Sequence, residues 1–169
     1  MTPVFTFWND SPLGWVERLC LTSMVRTGHD VTLYSYSKSH DVPAGVRLRH
    51  ASELIPESRI IRHERTGSIS LFADIFRLEG LRAGLGIWLD ADMLVLRSLD
   101  DMGDQIFGWE SSTIINNAVL LLQPSSPTLK QLLELVDSKS PMPPYWDAKR
   151  RAYQRIRAAI HEAAKTLPG

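Results

Sequence analysis

Asp90 and Asp92 stand one residue apart, directly after the apolar run Ile87-Trp88-Leu89. On a β-strand, residues i and i+2 point to the same face, so two carboxylates at this spacing sit side by side, one pleat apart. At the end of a buried strand they repel each other and are costly to desolvate. A divalent cation removes both penalties. Mg2+ and Mn2+ prefer oxygen ligands, and Mg2+ is often held by one or two carboxylates together with substrate phosphates. A bare D-x-D pattern is common and usually marks a solvated turn; the apolar strand in front of it singles this one out. Asp74 and Arg77 lie at i and i+3 on a predicted helix just upstream, where opposite charges meet. At the rim of that helix's apolar face they form either an ordinary ion pair or a holder for a ligand's hydroxyl or phosphate.

The elements that must position these residues follow from the hydrophobic pattern. Val4 to Trp8 reads as a buried strand. Ser11-Pro12 reads as a helix start, with Ser11 as N-cap and Pro12 at the first helical position, and the helix runs to about Thr27. Gly28 supplies its left-handed stop. Val31 to Tyr36 is a second strand, and strand–helix–strand in close succession implies a parallel sheet. Val46 to His50 is a short strand candidate. Ser52 to Pro56 is a helical turn, and Glu57 to Gly67 has no clear pattern. Ser68 to Ala83 is amphipathic, with Leu71, Phe72, Ile75, Phe76 and Leu78 on one broad face, and Gly84 and Gly86 end it. Ile87 to Leu96, Ile106 to Trp109 and Ile114 to Leu122 read as further strands. Ser126 caps a helix from Pro127 to about Val136. Pro141, Pro143 and Pro144 mark a stiff loop before a basic helix over 147–165. Ligands of open α/β sheets bind beyond the carboxyl ends of the strands, where D-x-D falls.

Composition sets the outer bounds. The 169 residues are 44% hydrophobic and 22% charged, with Lys+Arg equal to Asp+Glu. That is the mix of one globular domain with a real core. Its zero net charge argues against a nucleic-acid binder. The charge is unevenly spread. Residues 90–110 hold six acids against Arg97, and residues 147–169 hold six bases against two acids. The basic helix reads as a solvated face, a surface for anionic lipid, or a packing surface for a further segment. Cys20 is the only cysteine, which excludes an internal disulfide and a Cys-rich zinc site. It shares a helical stripe with Leu13, Val16 and Met24 and reads as a core thiol. His29, just past a helix stop, reads as a cation near the helix C-terminus. Arg59, Arg62, His63 and Arg65 read as a solvated loop or as a lid over phosphates. No apolar run approaches the ~20 residues of a membrane span, and the first residues lack a secretory pattern. The expected location is cytoplasmic, with a peripheral position at the inner membrane face as the variant that the basic helix allows.

Phe72-Ala73-Asp74-Ile75-Phe76-Arg77, followed by Gly84-Leu85-Gly86-Ile87-Trp88-Leu89-Asp90-Ala91-Asp92, resembles the sugar-transferase family with a DXD motif. That family includes bacterial capsule and glycolipid α-glycosyltransferases and relatives of the α-1,4-galactosyl- and mannosyltransferases. Phe7-Trp8, Glu17 to Leu21 and Gly28 to Tyr34 are similar to its opening strand–helix–strand, and Asn116-Asn117-Ala118-Val119-Leu120 to a later block. The resemblance covers roughly residues 3–138. It implies an α/β, GT-A-like fold, a Rossmann-type mostly parallel sheet flanked by helices, as a nucleotide-sugar-binding domain over 1–138. Residues 139–169 are then a Pro-rich loop and basic helix without a separate domain. By the resemblance, Asp92 is the direct ligand of Mn2+ or Mg2+, and Asp90 contacts the donor and the metal. Asp74, Arg77 and Asn117 help hold the donor, and Phe7, Trp8 and Asn9 border the nucleoside. The implied reaction is sugar transfer to a saccharide or glycolipid acceptor, with retention and no assigned catalytic base. Gly84-Leu85-Gly86 departs from the family's Gly-Gly, and the acceptor-side segment expected after Trp146 is not matched. The alternative is therefore a truncated, non-catalytic module that binds the donor or a partner. A dehalogenase-like phosphatase also places D-x-D after an apolar strand. It usually does so near the chain start, with Thr or Val where Leu94 stands here.

Overall fold

The computed structural model describes residues 2–9, 11–37, 40–112, 115–137 and 156. The elements are β1 (Pro3–Phe7), α1 (Trp15–Arg26), β2 (Asp30–Ser35), β3 (Val46–His50), α2 (Ser70–Arg82), β4 (Ile87–Leu89), β5 (Ile106–Trp109), β6 (Ile115–Leu121) and α3 (Pro127–Asp137). Two short 3-10 turns, Ala51–Glu53 and Glu57–Arg59, fill the connection from β3 to α2. The strands form one six-stranded sheet in the order β3-β2-β1-β4-β6-β5. Strands β3, β2, β1 and β4 run parallel, and β6 and β5 are antiparallel additions at one edge. This is an α/β sheet, mostly parallel, flanked by helices.

Side-chain parity divides the core into two layers. Val4, Ile87 and Leu89 face α1, where Leu21 and Met24 meet them. Phe5, Phe7 and Trp88 face the other way, onto Phe72, Phe76 and Leu81 of α2 and Leu129 and Leu132 of α3. Both faces of the sheet are covered, so β2 is buried along nearly its whole length rather than alternating in and out. The close approach of α2 to β1 depends on Gly80, because a Cβ there would overlap the buried Phe5 ring. Ile156, the one described residue beyond Asp137, packs into this second layer. The expected Pro-rich loop and basic helix otherwise lie outside the described residues.

Three expectations need correction. Helix α1 starts at Trp15, not Pro12, with Gly14 as its extended N-cap and no side-chain cap. The Ser11 carbonyl accepts a bond from the Trp8 indole at 2.9 Å, which holds the 11–14 stretch against the end of β1. The first helical bond is Arg18 N–H to the Gly14 carbonyl. Strand β4 is three residues long rather than ten. After Asp90 N–H bonds to the Ala118 carbonyl, Met93 N–H closes back onto the Asp90 carbonyl at 3.0 Å. Asp90 therefore ends the strand and Asp92 lies in a turn, so pleat geometry does not align the pair. His29 is buried and wired at both ring nitrogens, which contradicts the helix-end cation. Its Nε2 accepts from Leu99 N–H at 3.1 Å, and the ring then donates from Nδ1 to the Thr2 carbonyl at 3.2 Å. The ring ties the start of β1 to the loop after β4.

Candidate functional site

β1 connects to β2 on one side and lies beside β4 on the other, so the strand order reverses between β1 and β4. Their carboxyl ends open a crevice at this reversal, the usual ligand position of an open α/β sheet. A cleft of about 590 Å³ lies there. Phe7, Trp8 and Asn9 line it from the end of β1, and Asp74 and Arg77 from α2. Asp90 and Asp92 line it from the end of β4, and Asn117 from β6. Every site residue proposed from the sequence thus borders one cavity.

The centre is Arg77, whose side chain is only 5% exposed. Its Nη1 donates to Asp74 Oδ1 at 3.1 Å and its Nη2 to Asp90 Oδ1 at 2.6 Å. The guanidinium lies 4.8 Å from the centre of the Trp88 ring, a cation–π distance. The Trp88 indole donates to the same Asp90 oxygen at 2.6 Å. Asn117 reaches Asp74 Oδ1 through its side-chain amide at 3.4 Å. Helix α2, strand β4 and the turn after it are therefore joined at one arginine, and β6 is tied in through Asp74. Asn116, by contrast, accepts the Ala118 backbone N–H at 2.5 Å and braces its own strand. Asn9 takes a similar bracing role, accepting from the Tyr36 N–H and the Ser35 hydroxyl.

Asp92 differs from its neighbours. It is exposed, and no side-chain bond fixes it among the described residues. Burial, and then the nearby Asp92 carboxylate, push the Cys20 thiol pKa up. Cys20 is a buried core thiol of α1. The cleft's ionic side chains are Asp74, Arg77, Asp90 and Asp92, which carry a net charge of −2. Their donors are carboxylate oxygens, the ligand type that hard divalent cations prefer. No group of three or more His, Cys, Asp and Glu forms a metal cage among the described residues. A cation here would therefore need water or substrate oxygens to complete its shell. That fits Mg2+ and Mn2+, which keep open positions of this kind.

Sequence reasoning missed several lining residues. Trp88 has the same strand parity as Asp90, a signal that was present at i and i+2. Ser11 lines the cleft because the chain delays α1. Ser68, Ile69 and Ser70 bring the start of α2 to the cleft, and no side chain caps that helix. The basic stretch folds around one histidine. His63 is buried and its Nδ1 accepts the Arg65 and Thr66 N–H groups, while Arg59, Arg62 and Arg65 are exposed. A second hollow of about 580 Å³ continues past Asn9 and Ser11, bordered by Tyr36, His40 and Arg62. His40 Nε2 is buried there without a hydrogen-bond partner.

No protein-family profile matches the chain, and no curated protein matches it in sequence. Its fold is similar to solved structures, among them the PaToxG glycosyltransferase. That match has a TM-score of 0.61 at 11% identity and covers 95% of this chain and 69% of that one. No helix among the described residues is long and apolar enough to cross a membrane. With its crevice at the β1/β4 reversal, the chain shares the fold of a glycosyltransferase over nearly its whole length.

Proposed function

We propose that the chain binds a nucleotide-sugar and serves a glycosyltransferase, transferring the sugar to a saccharide or glycolipid acceptor with retention. The observation that carries this reading is the cleft itself. An exposed Asp92 stands beside a carboxylate pair held rigid by one buried arginine, at the switch point of a glycosyltransferase-like sheet. Asp92 and the second oxygen of Asp90 would hold Mn2+ or Mg2+. Such a cation supplies Lewis-acid stabilisation of the charge that develops on a departing diphosphate. Asp74 and Asn117 present polar atoms to the sugar, and Arg77 fixes the orientation of both carboxylates. The nucleoside extends past Phe7, Trp8 and Asn9 into the hollow lined by Tyr36 and His40.

Calorimetry with UDP and GDP, with and without Mn2+, tests the reading. Binding is expected to need the cation, and Asp92→Asn is expected to weaken it by about tenfold or more. Nucleotide binding that is unchanged in EDTA overturns the metal assignment. Metal-dependent binding without any donor hydrolysis would instead identify a non-catalytic donor-binding module.

A further inference from the structure

Strand β4 ends at Leu89, and the chain that follows to Asp100 joins no further strand. A segment held against a protein must still pair its backbone N–H groups. Asp90 N–H goes to the Ala118 carbonyl, and Met93 N–H closes the turn onto the Asp90 carbonyl. Beyond that turn the partners are two side chains, 72 and 70 residues away in sequence. Val95 N–H donates to the Ser23 hydroxyl at 2.9 Å, and Leu99 N–H donates to His29 Nε2 at 3.1 Å. Ser23 stands in the last turn of α1, and His29 in the connection from α1 to β2.

Both anchors are themselves fixed. The Ser23 hydroxyl donates to the Cys20 carbonyl at 2.7 Å, which sets its rotamer and leaves its oxygen able to accept. His29 is 4% exposed, and its other ring nitrogen, Nδ1, lies 3.2 Å from the Thr2 carbonyl. Asp100 closes the same corner by accepting Thr2 N–H at 2.6 Å. Val95 itself packs into the layer that faces α1. Asp92 needs this support. Its neighbour Asp90 is gripped by Arg77 and Trp88, whereas Asp92 is exposed with no side-chain bond among the described residues. The backbone alone sets its place in the cleft, pinned at Asp90 on one side and at Val95 on the other.

We propose that Ser23 and His29, neither of which lines the cleft, are positioning residues for the cation: they hold the loop after β4 so that the Asp92 carboxylate stands in place beside Asp90. A ligand carboxylate on a loose loop must be ordered when the cation binds, and ordering backbone costs free energy. A loop already pinned in place avoids most of that cost, and the difference is read as tighter binding. This role rests on reading Asp92 as a cation ligand. It adds that the affinity of the site is set from the C-terminal end of α1.

Calorimetry of Mn2+ binding to the whole chain with UDP present, alongside the electron paramagnetic resonance spectrum of the bound Mn2+, tests the role. Ser23→Ala is expected to weaken Mn2+ binding about fivefold, the worth of one hydrogen bond, and His29→Leu by at least as much. Both should broaden the spectrum, because Asp92 then samples several positions. Ser23→Thr restores the acceptor, and His29→Gln restores an acceptor and a donor, so both are expected to recover most of the affinity. Thr22→Ala is the control. Its hydroxyl bonds back to the Arg18 carbonyl within α1, and its loss should leave Mn2+ binding unchanged. Mn2+ binding within about twofold of the parent's in Ser23→Ala or in His29→Leu would overturn the proposal. So would an equal loss in Thr22→Ala, or no recovery in Ser23→Thr, since either marks general destabilisation. Asp92→Asn separates the positioning role from the ligand reading. If it weakens Mn2+ binding while Ser23→Ala and His29→Leu do not, only the positioning role falls. If it leaves Mn2+ binding unchanged, the ligand reading falls and the positioning role with it.

Discussion

Arg77 decides the shape of the cleft, and its worth follows from what surrounds it. The side chain is nearly buried and supplies the only positive charge among the described cleft residues, against Asp74 and Asp90. Removing one partner of a buried ion pair typically costs about 3–5 kcal/mol. Asp74 and Asp90 keep 22% and 32% side-chain exposure, so water would screen them partly and the low end of that range applies. Arg77→Met is therefore expected to cost about 3 kcal/mol, read as a lowered denaturant midpoint at unchanged slope. Arg77→Lys should recover little of this. An ammonium cannot span two carboxylates and stack on Trp88 with the planar geometry of a guanidinium. A variant within a few tenths of a kcal/mol of the parent would show that the network is not structural. The pairing of Asp74 with Arg77 was legible from their i, i+3 spacing. Their joining to Asp90 and Trp88 was not, because that depends on where α2 crosses the sheet.

The crossing of α2 over β1 is an element-scale property, and Gly80 reports on it. An alanine inside a helix is ordinarily worth about 0.5–1 kcal/mol over glycine. Here its Cβ would overlap the ring of Phe5, which is 1% exposed and packed edge-on against Trp88 at 5.3 Å. A ring so enclosed cannot swing away, and overpacking a tight core costs about 1–3 kcal/mol. The steric effect wins, so Gly80→Ala should lower the thermal midpoint. Donor affinity should fall with it, because Arg77 lies one turn before Gly80 on the same helix. A raised midpoint would mean that α2 can lift off β1 without penalty. Helix α2 was readable because its apolar face recurs at helical spacing, and the strand order at β1 and β2 because a βαβ unit allows few arrangements. The start of α1 was misread because the Trp8 indole takes up the Ser11 carbonyl. The length of β4 was misread because an apolar run continues into Met93 to Leu96 after the backbone has turned at Asp90. Hydrophobicity marks burial or contact there, and not extended pairing.

Across the whole molecule, the sheet places one core layer against α1 and the other against α2 and α3, and Tyr36 closes the second layer at the edge of the hollow beside Asn9 and Ser11. Its ring meets Phe7 at 6.0 Å and Phe72 at 6.1 Å. Its hydroxyl donates to the Ile55 carbonyl at 2.7 Å, fastening the connection after β3 to the sheet. Burial, and then the Glu57 carboxylate, push the phenol from 10.0 up to about 12. The folded chain therefore holds this proton more tightly than the unfolded chain, in which the phenol titrates near its ordinary value of about 10. By linkage, the stability tied to Tyr36 is fully present below pH 10 and is lost as pH rises from about 10 through 12. Tyr34, two residues earlier, is raised in the same direction, chiefly by burial, and adds to the alkaline limb. Denaturant midpoints measured between pH 8 and the alkaline limit should stay level at first and then fall through this window. Tyr36→Phe should lower the plateau by about 1 kcal/mol, the net value of one hydrogen bond, and flatten the alkaline fall. A phenolate absorbance titration of the folded chain that completes near pH 10 would contradict the burial of Tyr36 and, with it, this wall of the hollow.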